Sequence, residues 1–80
     1  MFKQRVMFTF PSELIKEPVI WTLGRDFNVI TNIRRADVTE NKGWVVLELE
    51  GREEDIQRSL AWVAGKGVKV DAAIGDVVEG

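Results

Sequence analysis

Asn32 carries an amide that can donate to a carboxylate and accept from an ammonium, the two groups of a small zwitterion. An exposed asparagine on a strand is equally ordinary, so the residue alone leaves both readings open. Met7 and Trp44 form a second candidate group. A thioether against an indole is worth about 0.3–1.5 kcal/mol, and the same pair suits either the wall of an apolar side-chain pocket or a surface buried between two chains. Glu48 and Glu50 could face an ammonium or a metal. Two carboxylates on one strand supply too few oxygens for a hard cation, and solvation is their simpler role. Cysteine and histidine are both absent. That removes disulfides, thiolate chemistry, zinc and iron-sulfur ligation, and the usual neutral-pH general base.

What remains is a restricted catalytic repertoire, and the length restricts it further. A chain of 80 residues makes one domain, and such a domain buries about 60% of its unfolded surface. A deep catalytic cleft is not expected, and neither enzyme activity nor a cofactor is predicted. With 11 basic and 13 acidic residues the formal charge is −2, without a basic cluster for a phosphate backbone, so nucleic acid is excluded as an expected partner. No run of 18 apolar residues occurs, and the start Met1-Phe2-Lys3-Gln4-Arg5-Val6-Met7 lacks a signal-peptide core. The expectation is a cytoplasmic chain with no membrane insertion.

Hydrophobic periodicity places these residues. Phe2, Val6, Phe8 and Phe10 alternate with Lys3, Arg5, Met7 and Thr9, which predicts a half-buried strand over residues 2–10 ended by Pro11 and Ser12. A helix should start near Pro18, with Ile20, Leu23 and Phe27 as its buried stripe, Trp21 off that stripe, and Asn28 closing it in the left-handed conformation. Strands over Val29–Val38 and Trp44–Glu50 flank the turn residues Asn41-Lys42-Gly43. In the latter strand Val45, Leu47 and Leu49 form the core set, opposite Trp44, Val46, Glu48 and Glu50. Glu53, Glu54 and Asp55 open a second helix whose stripe is Ile56, Leu60 and Val63, with Trp62 covering its edge and Gly65 and Gly67 ending it. Val68 and Val70 mark a short last strand, and residues 72–80 read as a frayed tail.

The order strand, helix, strand, strand, helix, strand predicts an α+β, ferredoxin-like βαββαβ fold: a four-stranded antiparallel sheet with two helices on one face. Right-handed split crossovers put strands one and three in the centre, strand two beside three, and strand four beside one. The open face should then display Met7, Thr9, Trp44, Val46 and Glu48, with Ile30, Asn32 and Arg34 from strand two. A broad, partly apolar face without cover marks an interface.

Asn32-Ile33-Arg34, the strand from Trp44 to Gly51, the Glu-Glu-Asp helix start, and Ser59-Leu60-Ala61-Trp62-Val63-Ala64-Gly65-Lys66-Gly67-Val68-Lys69-Val70 together resemble the NIL domain over about residues 3–72. That domain is best known as the carboxy-terminal regulatory domain of methionine ABC importer ATPases. The resemblance implies a homodimer that binds methionine or a related amino acid near the junction of its two chains, with Asn32 and Ile33 matching the first two residues of the name-giving tripeptide. Arg34 departs from the usual leucine. Its guanidinium would either clamp a carboxylate bidentately or sit solvated on the edge strand. The ligand-binding set expected on these grounds is Asn32, Ile33, Arg34, Met7, Trp44 and Val46. Val45 matches a ligand-contacting position in some relatives, but its alternation assigns it to the core. The sequence contains no Gly-rich Lys-Ser/Thr phosphate loop, so regulation would act on a separate transporter or sulfur-metabolism protein. A ligand-free module docking such a partner is the alternative expectation.

Overall fold

Alternation in the first strand is the feature from which the architecture grows. In a computed structural model of the chain, which describes residues 2–74, 77 and 78, β1 spans Phe2–Phe10 and buries Val6, Phe8 and Phe10 on one face. Pro11 stops the ladder because it has no N–H to donate, and a 3-10 turn over Ser12–Leu14 leads to α1 at Val19–Asp26. β2 (Ile30–Val38) and β3 (Gly43–Gly51) form a hairpin, followed by α2 (Glu53–Gly65), β4 (Lys69–Ile74) and a two-residue β5 (Val77–Val78). The sheet order is β2-β3-β1-β4-β5. The four longer strands pair antiparallel and match the order expected from the split crossovers.

One difference lies at the end of the chain. Where the sequence suggested a frayed tail from residue 72, β4 continues to Ile74, and Val77 and Val78 pair with Ile74 and Ala73. Positions 75, 76, 79 and 80 of the expected tail lie outside the described residues. Alanine and valine at 72, 73, 77 and 78 favour or tolerate extended backbone, and antiparallel pairing is the arrangement they take.

The core lies between the helices and one sheet face. Val6, Phe8, Phe10, Val45, Leu47 and Leu49 from the sheet meet Val19 and Leu23 of α1 and Ile56 and Val63 of α2. Phe8 and Phe10 touch edge to face at 6.2 Å and 87°. The stripe of α1 is rotated from the expected one: Val19 and Leu23 are buried, whereas Ile20 and Phe27 are only partly covered. Likewise in α2 the small Ser59 is fully buried while Leu60 is half covered. Ser59 fits because its hydroxyl donates to the Ile56 carbonyl at 2.7 Å, so no buried polar group is left unmade.

Two positions with positive φ end the helices. Asn28 has φ 56°, as its place after α1 predicts, and Gly67 has φ 103° just beyond α2. An ordinary side chain in the left-handed region costs roughly 1–2 kcal/mol, and asparagine less. Asn28→Ala is therefore expected to lower stability by about 1 kcal/mol, and a urea midpoint equal to that of the parent would refute the assignment. The hairpin turn is closed by the Thr39 N–H donating to the Lys42 carbonyl at 2.8 Å, with the Thr39 hydroxyl accepting from the Lys42 N–H at 3.3 Å.

Candidate functional site

The face of the sheet turned away from the helices is organised in rows that cross the strands. In one row Asn32 of β2 stands opposite Glu48 of β3, which stands opposite Arg5 of β1. Arg5 Nε donates to Glu48 Oε2 at 3.3 Å, and both side chains keep about a quarter of their surface. Such a pair contributes about 0–1 kcal/mol. Its larger effect is to hold the Glu48 carboxylate in the position next to Asn32, with the Arg5 guanidinium on the far side of it, one strand further in. The next row holds Arg35, Val46, Met7 and Asp71, and the one after it Asp37, Trp44, Thr9 and Lys69.

A β-bulge decides which β2 residues belong to this face. The register steps from Ile33 opposite Leu47 to Arg35 opposite Val46, so Arg34 is the extra residue. Arg34 thus does not join Asn32 in simple alternation, as the sequence suggested; Arg35 takes the open-face position instead. Ile33 stands opposite the core residue Leu47, on the helix side, yet is 59% exposed because β2 is the sheet edge. Val46 does lie on the open face but is completely buried. Among the described residues no helix covers that face, so the cover comes from neighbouring side chains in its own and adjacent rows. Met7 and Trp44 are half-buried and Asn32 is exposed.

The six residues of the expected set are therefore not gathered into one pocket. Asn32 and Met7 share a face but are separated by β3, about two strand spacings or roughly 10 Å. Together they border a shallow surface with a polar end at Asn32, Glu48 and Arg5 and an apolar end at Met7 and Trp44. Such a surface encloses a ligand only when a second surface closes over it. Alternation alone could not reveal Asp71, whose Oδ2 is buried without a hydrogen-bond donor and has Lys69 Nζ 3.8 Å away. It stands next to Met7. Among the described residues no group of three or more acidic, cysteine or histidine side chains could hold a metal ion.

The helix side carries a concavity that periodicity also missed. It is an apolar pocket of about 210 Å³ lined by Phe10, Ile15, Pro18, Val19, Val38 and Val45, together with Trp21 and Glu17. Glu17 is held by Lys66 at 3.2 Å. Trp21 is 61% exposed, as its place off the α1 stripe predicts, and Arg25 stacks on its ring at 4.4 Å. Arg25 also donates to Asp26 at 2.7 Å, and that bond holds the Asp26 carboxyl below the usual carboxylate range. This is a solvent-facing pair at the end of α1. Among the described residues no helix is long and apolar enough to cross a membrane.

Comparison with known proteins agrees with this architecture. The chain is 30% identical over 70 residues to the methionine import ATP-binding protein MetN of Bacillus subtilis, a match covering 82% of this chain and 20% of that protein. It thus spans about a fifth of that relative's length. Its fold superposes with a TM-score of 0.76 on the crystal structure of the C-terminal domain of an ABC transporter ATP-binding protein from Enterococcus faecalis, covering 91% of this chain and 84% of that one at 21% identity. The family model of the NIL domain matches residues 4–72, nearly the whole βαββαβ unit, and the chain belongs to the NIL domain family.

Proposed function

We propose that this chain is a non-catalytic, cytoplasmic regulatory domain that binds methionine or a closely related amino acid where two copies meet. The observation that carries the reading is the position of Asn32. It is exposed, on the edge strand, opposite the ion-paired Glu48, within the NIL-matching region. An amino acid's carboxylate would accept from the Asn32 amide, and its ammonium would face Glu48. Its side chain would run toward Met7 and Trp44, where a thioether gains sulfur-aromatic contact. Val46 forms the floor beneath that path, Arg34 stands at the bulge beside it, and Ile33, on the helix side, belongs to the edge strand that frames it. The protein acted on would be a methionine import ATPase or another protein of sulfur metabolism. Similarity to a methionine importer ATPase supports that choice.

Removal of the amide gives the test. Asn32→Ala is expected to weaken methionine binding at least tenfold, about 1.4 kcal/mol, without lowering the thermal midpoint, because the side chain is exposed. Unchanged affinity in calorimetric titration would take Asn32 out of the site.

A further inference from the structure

We infer that two copies of this chain stack through the open faces of their sheets, about a two-fold axis parallel to the strands and midway between β3 and β1. The inference deepens the proposed function and rests on it only for the ligand: the facing sheet is the second surface that closes over Asn32. What carries it is an antisymmetry of charge. Four rows cross the open face, and each has a cation on one side of the β3-β1 midline and an anion on the other. Glu50 and Glu48 on β3 stand against Lys3 and Arg5 on β1. In the third row Arg35 on β2 answers Asp71 on β4, and in the fourth Asp37 on β2 answers Lys69 on β4. Ion pairing inside one sheet accounts for the first two rows, since adjacent strands bring Arg5 within 3.3 Å of Glu48. It does not account for the other two, because β2 and β4 are three strand spacings apart, about 14 Å.

The axis turns each antisymmetric row into complementary contacts. It lays β2 of one copy over β4 of the other and β3 over β1, row on row. Arg35 then meets Asp71 of the second copy, Asp37 meets Lys69, Glu48 meets Arg5 and Glu50 meets Lys3, and every contact occurs twice. The centre of the face is apolar, with Val46 over Met7 and Trp44 over Thr9. Stacked sheets lie about 10 Å apart with their strands crossing at about 30°. At the outer strands, roughly 7 Å from the axis, that crossing shifts a row by about one residue, within reach of an arginine or lysine side chain. Other axes match fewer charges. One across the strands at Val46 would set Arg35 on Arg35 and Asp71 on Asp71, and one between the rows of Val46 and Trp44 would pair the charges of those two rows alone. Asp71 is also short of donors in the single chain, since its Oδ2 accepts no hydrogen bond and Lys69 Nζ stays 3.8 Å away. Arg35 of the second copy brings a guanidinium to that carboxylate.

Charge reversal across the axis tests the stacking without any amino acid present. Asp37 and Lys69 are both exposed, so reversing them leaves the core untouched. In sedimentation velocity from micromolar to millimolar chain, Asp37→Lys and Lys69→Asp should each raise the dissociation constant of the stacked pair about tenfold or more. The double variant should restore it. Within one chain the two side chains stand too far apart to touch, so restoration reports a contact between copies. Trp44→Glu, which puts a charge at the apolar centre, should weaken the pair as well. A parent chain with no association step that responds to either reversal would overturn the inference. So would a double variant that associates no better than the weaker single one, because the copies would then meet through another surface or about another axis. Stacking that follows the reversals while no amino acid shifts the thermal midpoint would remove the ligand and keep the stacked pair. Methionine binding in a chain that does not stack would remove the stacked pair and keep the ligand.

Discussion

Phe8→Ala is expected to bring the domain to the limit of folding. Phe8 has no exposed surface, occupies the middle of central strand β1 between β3 and β4, and stacks edge to face on Phe10. Truncating a buried phenylalanine removes about 3–5 kcal/mol, from lost transfer free energy and the cavity left behind. An 80-residue domain has little in reserve, since folded proteins hold only about 5–15 kcal/mol in total. At roughly 4–8 °C per kcal/mol for this size, the thermal midpoint should fall by more than about 12 °C. A drop below about 5 °C would mean that the helices repack over the gap and that the sheet centre is not the keystone it looks.

Leu23→Ala should act as strongly but more locally. α1 has two buried residues, Val19 and Leu23, and only Leu23 is fully enclosed. The expected cost is about 2–5 kcal/mol, concentrated on the attachment of α1 because no other side chain of that helix replaces the contact. Hydrogen exchange should show the α1 amides losing protection well before those of β1 and β3. Uniform loss of protection across the chain would show α1 and the sheet to be one cooperative unit. Since α1 supplies Val19 and Trp21 to the apolar pocket, the same variant would loosen that pocket. Trp21→Ala, by contrast, removes a side chain already 61% exposed and should leave stability nearly unchanged.

Strand alternation made most of this fold readable. Val6, Phe8 and Phe10, and then Val45, Leu47 and Leu49, repeat every second residue, so the two central strands and their buried face follow from pattern alone. Asn28 announced the end of α1 through its tolerance of positive φ. The helix stripes were less legible because α1 has only eight residues, too few turns for its phase to be fixed by spacing. A shift of one position exchanges Ile20 for Val19. Ser59 shows the limit of polarity as a guide, since its hydroxyl is satisfied within its own helix.

The candidate site was legible in its face and not in its register. Asn32, Met7 and Trp44 were expected on the open face, and they lie there. The bulge at Arg34 could not be read, because the residues after Asn32 are Ile33-Arg34-Arg35-Ala36 and lack the glycine or strict alternation that would betray a slip. One extra residue reverses the face of everything after it, which moves Arg35 and Asp37 to the open side. Val46 was read correctly as open-face, but its burial depends on cross-strand neighbours that no single strand contains.

Thermal unfolding of the purified domain with millimolar methionine, set beside the other amino acids, tests the central claim most directly. A ligand at 100 times its dissociation constant adds about 2.7 kcal/mol, so methionine or a near relative should raise the midpoint by roughly 10–20 °C, and Asn32→Ala should remove most of that rise. A midpoint that no amino acid moves would contradict the sensor reading and make this NIL domain a docking module that works without a ligand.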